Sequence, residues 1–309
     1  MVMMTNSEDP FGPMPSRWFV GPPAPRGTAF LARACSLAIL VLVGHWVRVP
    51  LGGVGIQPVP VPEDKGGGND TSKLFNWHPV LMTLGFAVFM AEALLSYQAP
   101  IVPGVAREVR KRIHWVCHLS ACCCLLLGLA AVIQSHRLKL PAPMPDWYSP
   151  HSFLGLTALG LVGLQILVGA YSYLWPRLTL SNRLALGPLH RFWGMAAWLA
   201  GLGAVATGLQ EKVTFIQMKG LPREDLYRSI VRLPAVVLPL LVVLAALVLY
   251  HQAPPPSRPL VADGLGGGSF TSGGGGGGGS SHQGLLRGGR PADDDEESDE
   301  EGSQGRRRV

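Results

Sequence analysis

Residues 77–97 read WHPVLMTLGFAVFMAEALLSY. Across this run the only ionisable groups besides the final tyrosine are His78 and Glu92. A hydrocarbon core needs about 20 residues of helix, at roughly 1.5 Å per residue, to be crossed. No water inside a bilayer can serve the backbone, so such a segment must be α-helical. Five further stretches repeat the pattern, at roughly 29–49, 113–134, 151–174, 188–209 and 233–251. The fold expected is all-α, a six-helix transmembrane bundle over 29–251. Pro79, Pro150 and Pro188 stand where the second, fourth and fifth spans begin, and a first helical turn tolerates proline. Pro234 and Pro239 fall early in the sixth span and are expected to kink it.

Composition agrees with this class. Of 309 residues, 48% are hydrophobic and 15% charged, which suits an integral membrane protein with polar tails. The net charge of +6 reads as short basic loops beside a bilayer; it is too small for a nucleic-acid footprint. Residues 1–28, rich in Pro and Gly, lack a cleavable signal pattern, so the first span is expected to act as an uncleaved anchor. Residues 252–309 hold the Gly273–Gly279 run and an acidic block, with little to bury. Both tails read as disordered. Cys35, Cys117, Cys122, Cys123 and Cys124 all lie in apolar spans without metal-ligand spacing and read as packing residues.

An even number of spans puts both termini on one side. Lys and Arg are nearly balanced between the sides, and the cluster Arg107, Arg110, Lys111 and Arg112, in what reads as a short loop, places the termini in the cytosol.

Four histidines stand near the beginnings of four spans: His78, His114, His151 and His190, separated by 36, 37 and 39 residues. Alternate spans run in opposite directions, so His78 and His151 share one membrane face, and His114 and His190 the other. Imidazoles in lipid-embedded helices are costly and usually functional. Two same-face pairs point to two haem irons, each held from both sides, in preference to structural hydrogen bonding. Filling both axial positions closes iron to oxygen chemistry and favours electron transfer. Seven residues after each histidine comes Gly85, Ala121, Ala158 or Ala197. Small residues there leave room for a flat macrocycle, or for close helix packing. Glu92 and Gln165, fourteen residues after His78 and His151, fall near the opposite pair. Glu92 either tunes that site or snorkels to the interface. His118, one turn after His114, is either a ligand in its place or a neighbour that tunes it. His45 reads as structural.

The motifs around these histidines resemble a known family. Phe75-Asn76-Trp77-His78-Pro79-Val80-Leu81-Met82, Lys111-Arg112-Ile113-His114, Tyr148-Ser149-Pro150-His151-Ser152-Phe153-Leu154-Gly155 and Leu189-His190-Arg191-Phe192-Trp193-Gly194 resemble the second to fifth helix motifs of the cytochrome b-561 family. The likeness covers about 70–215. It implies a multi-pass protein of an endomembrane or the plasma membrane, whose central four helices hold two haem b groups. Such a reductase takes electrons from cytosolic ascorbate and passes them to monodehydroascorbate or ferric iron, as a chelate, on the far side. His78 and His151 would serve the non-cytosolic haem, and His114 and His190 the cytosolic one. Arg107, Arg110, Lys111 and Arg112 would attract ascorbate, an alternative being that they only anchor the helix. His136 and Arg137, read as part of a loop, match a basic feature near the far-side substrate, together with Lys139, Ser152 and Phe153. A homodimer is the assembly the resemblance favours. Two departures bear on the substrate: Phe153 stands where the family usually has Trp, and Gln98 where several members have Arg. Two other classes remain open at this point. One is a haem-bearing electron-transfer subunit serving a partner protein, and the other a non-enzymatic membrane adaptor or transporter.

Overall fold

The computed structural model describes residues 25–218 and 228–252. The two tails expected at 1–28 and 252–309 lie outside the described residues except at their inner edges. There residues 26–28 open the first helix and Gln252 closes the last.

Six helices are each long and apolar enough to cross a membrane. They are α1 (Arg26–Arg48), α2 (Ser72–Gln98), α3 (Arg107–Arg137), α4 (Pro150–Leu174), α5 (Leu180–Met218) and α6 (Ser229–Gln252). The chain is a multi-pass membrane protein. Most helices outrun the apolar stretch that marks them, because their polar ends stay helical. Three expectations change for this reason. The Arg107–Arg112 cluster is the opening of α3, not a loop, and His136 lies in the last turn of α3. Pro188 likewise lies inside α5, which starts at Leu180, whereas Pro150 is the first residue of α4 as expected.

Local chemistry explains the irregular places. Ser149 caps α4: its hydroxyl accepts from the Ser152 N–H at 3.2 Å. At the start of α2 the Asp70 carboxylate accepts from the Ser72 N–H and hydroxyl, each at 2.9 Å. The helix breaks at Asn76, which is 1% exposed. The Asn76 amide donates to Leu51 O at 3.2 Å and Gly53 O at 2.7 Å, tying the end of α1 to the beginning of α2. Mid-membrane, α2 widens to π-helix over Leu84–Met90. There the Phe86 carbonyl accepts the Trp198 indole N–H at 2.8 Å, and a Cβ at Gly201 would collide with the Phe86 ring.

The α1–α2 connection also holds a two-residue antiparallel pairing, β1 (Val59–Pro60) with β2 (Asn69–Asp70), which the sequence reading did not include. Asn69 stitches it to the chain after α3, donating to Leu138 O at 2.6 Å and accepting from the Leu140 N–H at 2.7 Å.

Packing runs in pairs: α4 on α5, α1 on α6, and α2 on α3. Consecutive α3 and α4 do not pack closely along their lengths. Gly85, Ala121, Ala158 and Ala197 are all buried. Gly85 brings α2 onto α3, since a Cβ there would sit 2.9 Å from Leu125.

Candidate functional site: two histidine pairs

Each histidine pair joins one helix of the α2–α3 couple to one helix of the α4–α5 couple. His78 of α2 faces His151 of α4, with ring centres 6.0 Å apart and planes at 81°. His114 of α3 faces His190 of α5 at 6.4 Å and 67°. The four residues are brought together as two pairs, at opposite ends of the helices.

The separation is compatible with both rings of a pair holding one metal. A metal–imidazole bond is about 2.0–2.1 Å, the length known for zinc, and the ring centre lies about 1.1 Å behind the nitrogen. Two imidazoles on opposite faces of one metal therefore have centres roughly 6.3 Å apart. His114 and His118, by contrast, touch edge-on with centres 4.5 Å apart, too close for a metal between them.

Hydrogen bonds select the nitrogen that remains free. His78 Nδ1 pairs with Gly128 O at 3.0 Å, His114 Nδ1 with Ala93 O at 2.9 Å, and His151 Nδ1 with Ala204 O at 2.9 Å. A carbonyl only accepts, so Nδ1 carries the proton and donates, leaving the Nε2 lone pair for a metal. The fourth, His190, has a buried Nδ1 with no protein partner.

Glycines make room for two of the rings. A Cβ at Gly208 would lie 2.6 Å from His151 Cε1, and one at Gly169 would lie 3.3 Å from His190 Cε1. Aromatic rings flank three of the four imidazoles: Phe75 at 5.9 Å from His78, Tyr97 at 5.2 Å from His114, and Tyr173 at 5.6 Å from His190.

A cavity of about 520 Å³ opens beside His78 and His151, within the range for small-molecule sites. His136, Lys139 and Ser152 line it, as do Asp146, Tyr148 and Glu211. His136 Nδ1 contacts Asp146 Oδ1 at 2.8 Å. Ser149, hydrogen-bonded to Ser152, donates to Glu211 Oε2 at 3.1 Å. Burial and the nearby Glu211 carboxylate push the Tyr148 phenol up, so it is a neutral donor at physiological pH. Arg137 and Phe153 are not among the lining residues; both are exposed, Phe153 at 61%.

At the other end, Arg107 and Arg112 are exposed and Lys111 half-buried on the first turns of α3. Arg110 is turned inward on the backbone, donating to Val105 O at 2.9 Å and Tyr97 O at 3.0 Å. Glu92 does not snorkel. It pairs with Arg33 of α1 through both carboxylate oxygens, at 2.7 and 2.8 Å. Gln165 places a buried Oε1 near Gly194, without a protein partner.

Sequence reading missed the glycines, although a signal exists. Gly169 stands 18 residues after His151, and Gly208 18 residues after His190. Eighteen residues are about five full turns, so each glycine shares a face with its own helix's histidine and cushions that of its antiparallel neighbour. The carbonyl acceptors of Gly128, Ala93 and Ala204 have no side-chain signature.

The fold and site define a class: a multi-pass helical membrane protein whose spans converge on paired, metal-competent imidazoles. Residues 77–216 match the family model of eukaryotic cytochrome b561. Transmembrane ascorbate ferrireductase 2 of Arabidopsis thaliana is 31% identical over 188 residues, 61% of this chain and 75% of that one. Plasma membrane ascorbate-dependent reductase CYBRD1 of Xenopus laevis is 35% identical over 141 residues, 46% of this chain and 49% of its own. Lysosomal membrane ascorbate-dependent ferrireductase CYB561A3 of Bos taurus is 34% identical over 176 residues, covering 55% and 65%. The chain belongs to the cytochrome b561 family.

That family implies b-type haem, and the residues fit it. Among the described residues no cluster of three or more His, Cys, Asp or Glu forms a metal site. A haem would bring its own ring of metal donors and would need from the protein only a histidine pair. Buried Trp77 Nε1, Gln165 Oε1 and His190 Nδ1 lack protein partners, as expected where another group completes the surroundings.

Proposed function

We propose that this chain is an ascorbate-dependent transmembrane reductase, carrying electrons from a cytosolic donor to an acceptor on the other side, with both termini cytosolic. The observation that supports this reading is the two histidine pairs, at opposite ends of the bundle, with a ring separation that fits bis-imidazole ligation. A haem b held at each pair supplies reversible one-electron chemistry. His78 and His151 hold the non-cytosolic one; His114 and His190 hold the cytosolic one. The carbonyl bonds at Nδ1 fix tautomer and ring orientation and make three of the four ligands stronger donors.

At the cytosolic end Arg107, Lys111 and Arg112 bind the ascorbate anion by charge. Cations at a helix N-terminus oppose the macrodipole, so helix stability is not what this cluster serves. Instead it adds to the positive end of α3 and draws an anion towards His114. Arg110 shapes this region by holding the last turn of α2.

At the far end the cavity beside His78 and His151 receives the acceptor. Lys139 attracts an anionic species such as monodehydroascorbate or a ferric chelate, while Asp146 holds His136 at the cavity wall. Ser152 and the neutral Tyr148 phenol supply hydrogen bonds.

Ligand replacement tests the assignment. His78→Ala or His151→Ala removes one haem and leaves the other, halving the reduced-minus-oxidised absorbance of the purified protein. Variants whose spectra match the wild type, or a colourless wild type, would reject it.

A further inference from the structure

Helix α1 stands outside the four central helices, yet one of its cations faces inward. Arg33 Nε donates to Glu92 Oε2 at 2.7 Å, and Nη2 to Glu92 Oε1 at 2.8 Å. This is the two-pronged geometry for which a planar guanidinium is built. Nη2 also donates to Ala99 O at 2.8 Å. Helix α6 grips the same stretch: the Gln252 amide donates to Leu94 O at 2.6 Å. His251 of α6 contacts the Thr28 hydroxyl of α1 at 2.8 Å, joining the two outer helices. The last two turns of α2 are thus held from outside at Glu92 and Leu94, and the residue that follows them at Ala99 O.

From inside, the same turns hold His114. Ala93 O accepts from its Nδ1, and Tyr97 packs beside its ring. Glu92, clamped by Arg33, is the immediate neighbour of Ala93, which orients the imidazole. The two charged side chains are only 23% and 20% exposed, so their fields are weakly screened. Removing one partner of such a pair leaves the other charge uncompensated.

We infer that Arg33 and Glu92 are positioning residues for the His114–His190 site: the pair holds the Ala93 carbonyl against His114 and keeps the local field neutral. The inference rests on reading the histidine pairs as haem sites. It assigns α1 and α6 the task of fixing one site's redox balance without touching it. The electrostatic sign is determined. Without Arg33 the Glu92 carboxylate is unopposed, and negative charge disfavours the added electron. Without Glu92 the guanidinium is unopposed and favours it.

The test is a two-component redox titration of the purified full-length protein, with Arg33→Gln, Glu92→Gln and the double variant. Arg33→Gln lowers the midpoint of the His114–His190 haem, Glu92→Gln raises it, and the double variant, neutral and still able to hydrogen-bond, returns towards wild type. The His78–His151 haem keeps its potential throughout. Shifts of the same sign in both single variants, equal shifts in both haems, or no shift overturn the inference; loosened packing alone gives the first or second pattern. A wild type that holds fewer than two haems per polypeptide defeats the haem-site reading and is recognised before any variant is made.

Discussion

At the scale of single residues, the site depends on atoms that are missing. Gly208 gives the His151 ring a space that a methyl group would fill, at 2.6 Å from Cε1, while Gly169 leaves His190 at 3.3 Å. Contact below 3 Å forces a shift of the ring, whereas 3.3 Å asks for a few tenths of an ångström. Gly208→Ala is therefore expected to deplete the His78–His151 haem selectively, and Gly169→Ala to leave haem content near wild type. Haem per polypeptide, read by pyridine haemochrome, checks the order; equal losses would contradict it. His118→Gln separates the ligand from its neighbour. His118 lies edge-on to His114, but only His114 faces His190 at ligation distance. Both haems are expected to survive, and loss of one would reverse the assignment. These pairings were legible in the sequence because helical rise and span parity fix which histidines share a membrane face. The Arg33–Glu92 pair was not, because the partners lie 59 residues apart on helices whose mutual rotation no periodicity reveals.

At the scale of elements, irregularities carry the packing. The π-helical stretch of α2 presents the Phe86 carbonyl to Trp198, which is completely buried. Trp198→Phe keeps much of the ring but removes the donor, so one buried hydrogen bond is lost at a cost of about 0.5–1.5 kcal/mol. Thermal unfolding in detergent, followed by haem absorbance, is expected to shift down accordingly; an unchanged midpoint would show that the bond contributes nothing. Hydropathy found all six helices because burial of backbone in lipid dictates them. It misplaced their ends because an amphiphilic turn stays helical beyond the hydrocarbon. Hence composition alone marks Arg107–Arg112 and His136 as loop, though they open and close α3. The Asn76 break has no local sequence signal. Its cause is a long-range contact, an amide that must reach Leu51 and Gly53.

At the scale of the molecule, the two histidine pairs stand at opposite ends of the bundle in different surroundings. The His114–His190 end meets a cluster of exposed cations, and the His78–His151 end opens on a cavity of mixed charge. The proposed direction follows from that asymmetry, and two variants separate its halves. In proteoliposomes with the α3 N-terminal cluster facing outward, ascorbate is added outside and ferricyanide trapped within. His151→Ala is expected to keep absorbance that external ascorbate reduces, while trapped ferricyanide stays oxidised, since His190 and His114 are intact and the far station is gone. His190→Ala is expected to lose both, because the station nearest the donor is missing even though the other still binds haem. The contrast matters more than either loss alone. A general folding defect abolishes both readouts in both variants, whereas the reverse contrast places the donor at the cavity end and inverts the assigned direction.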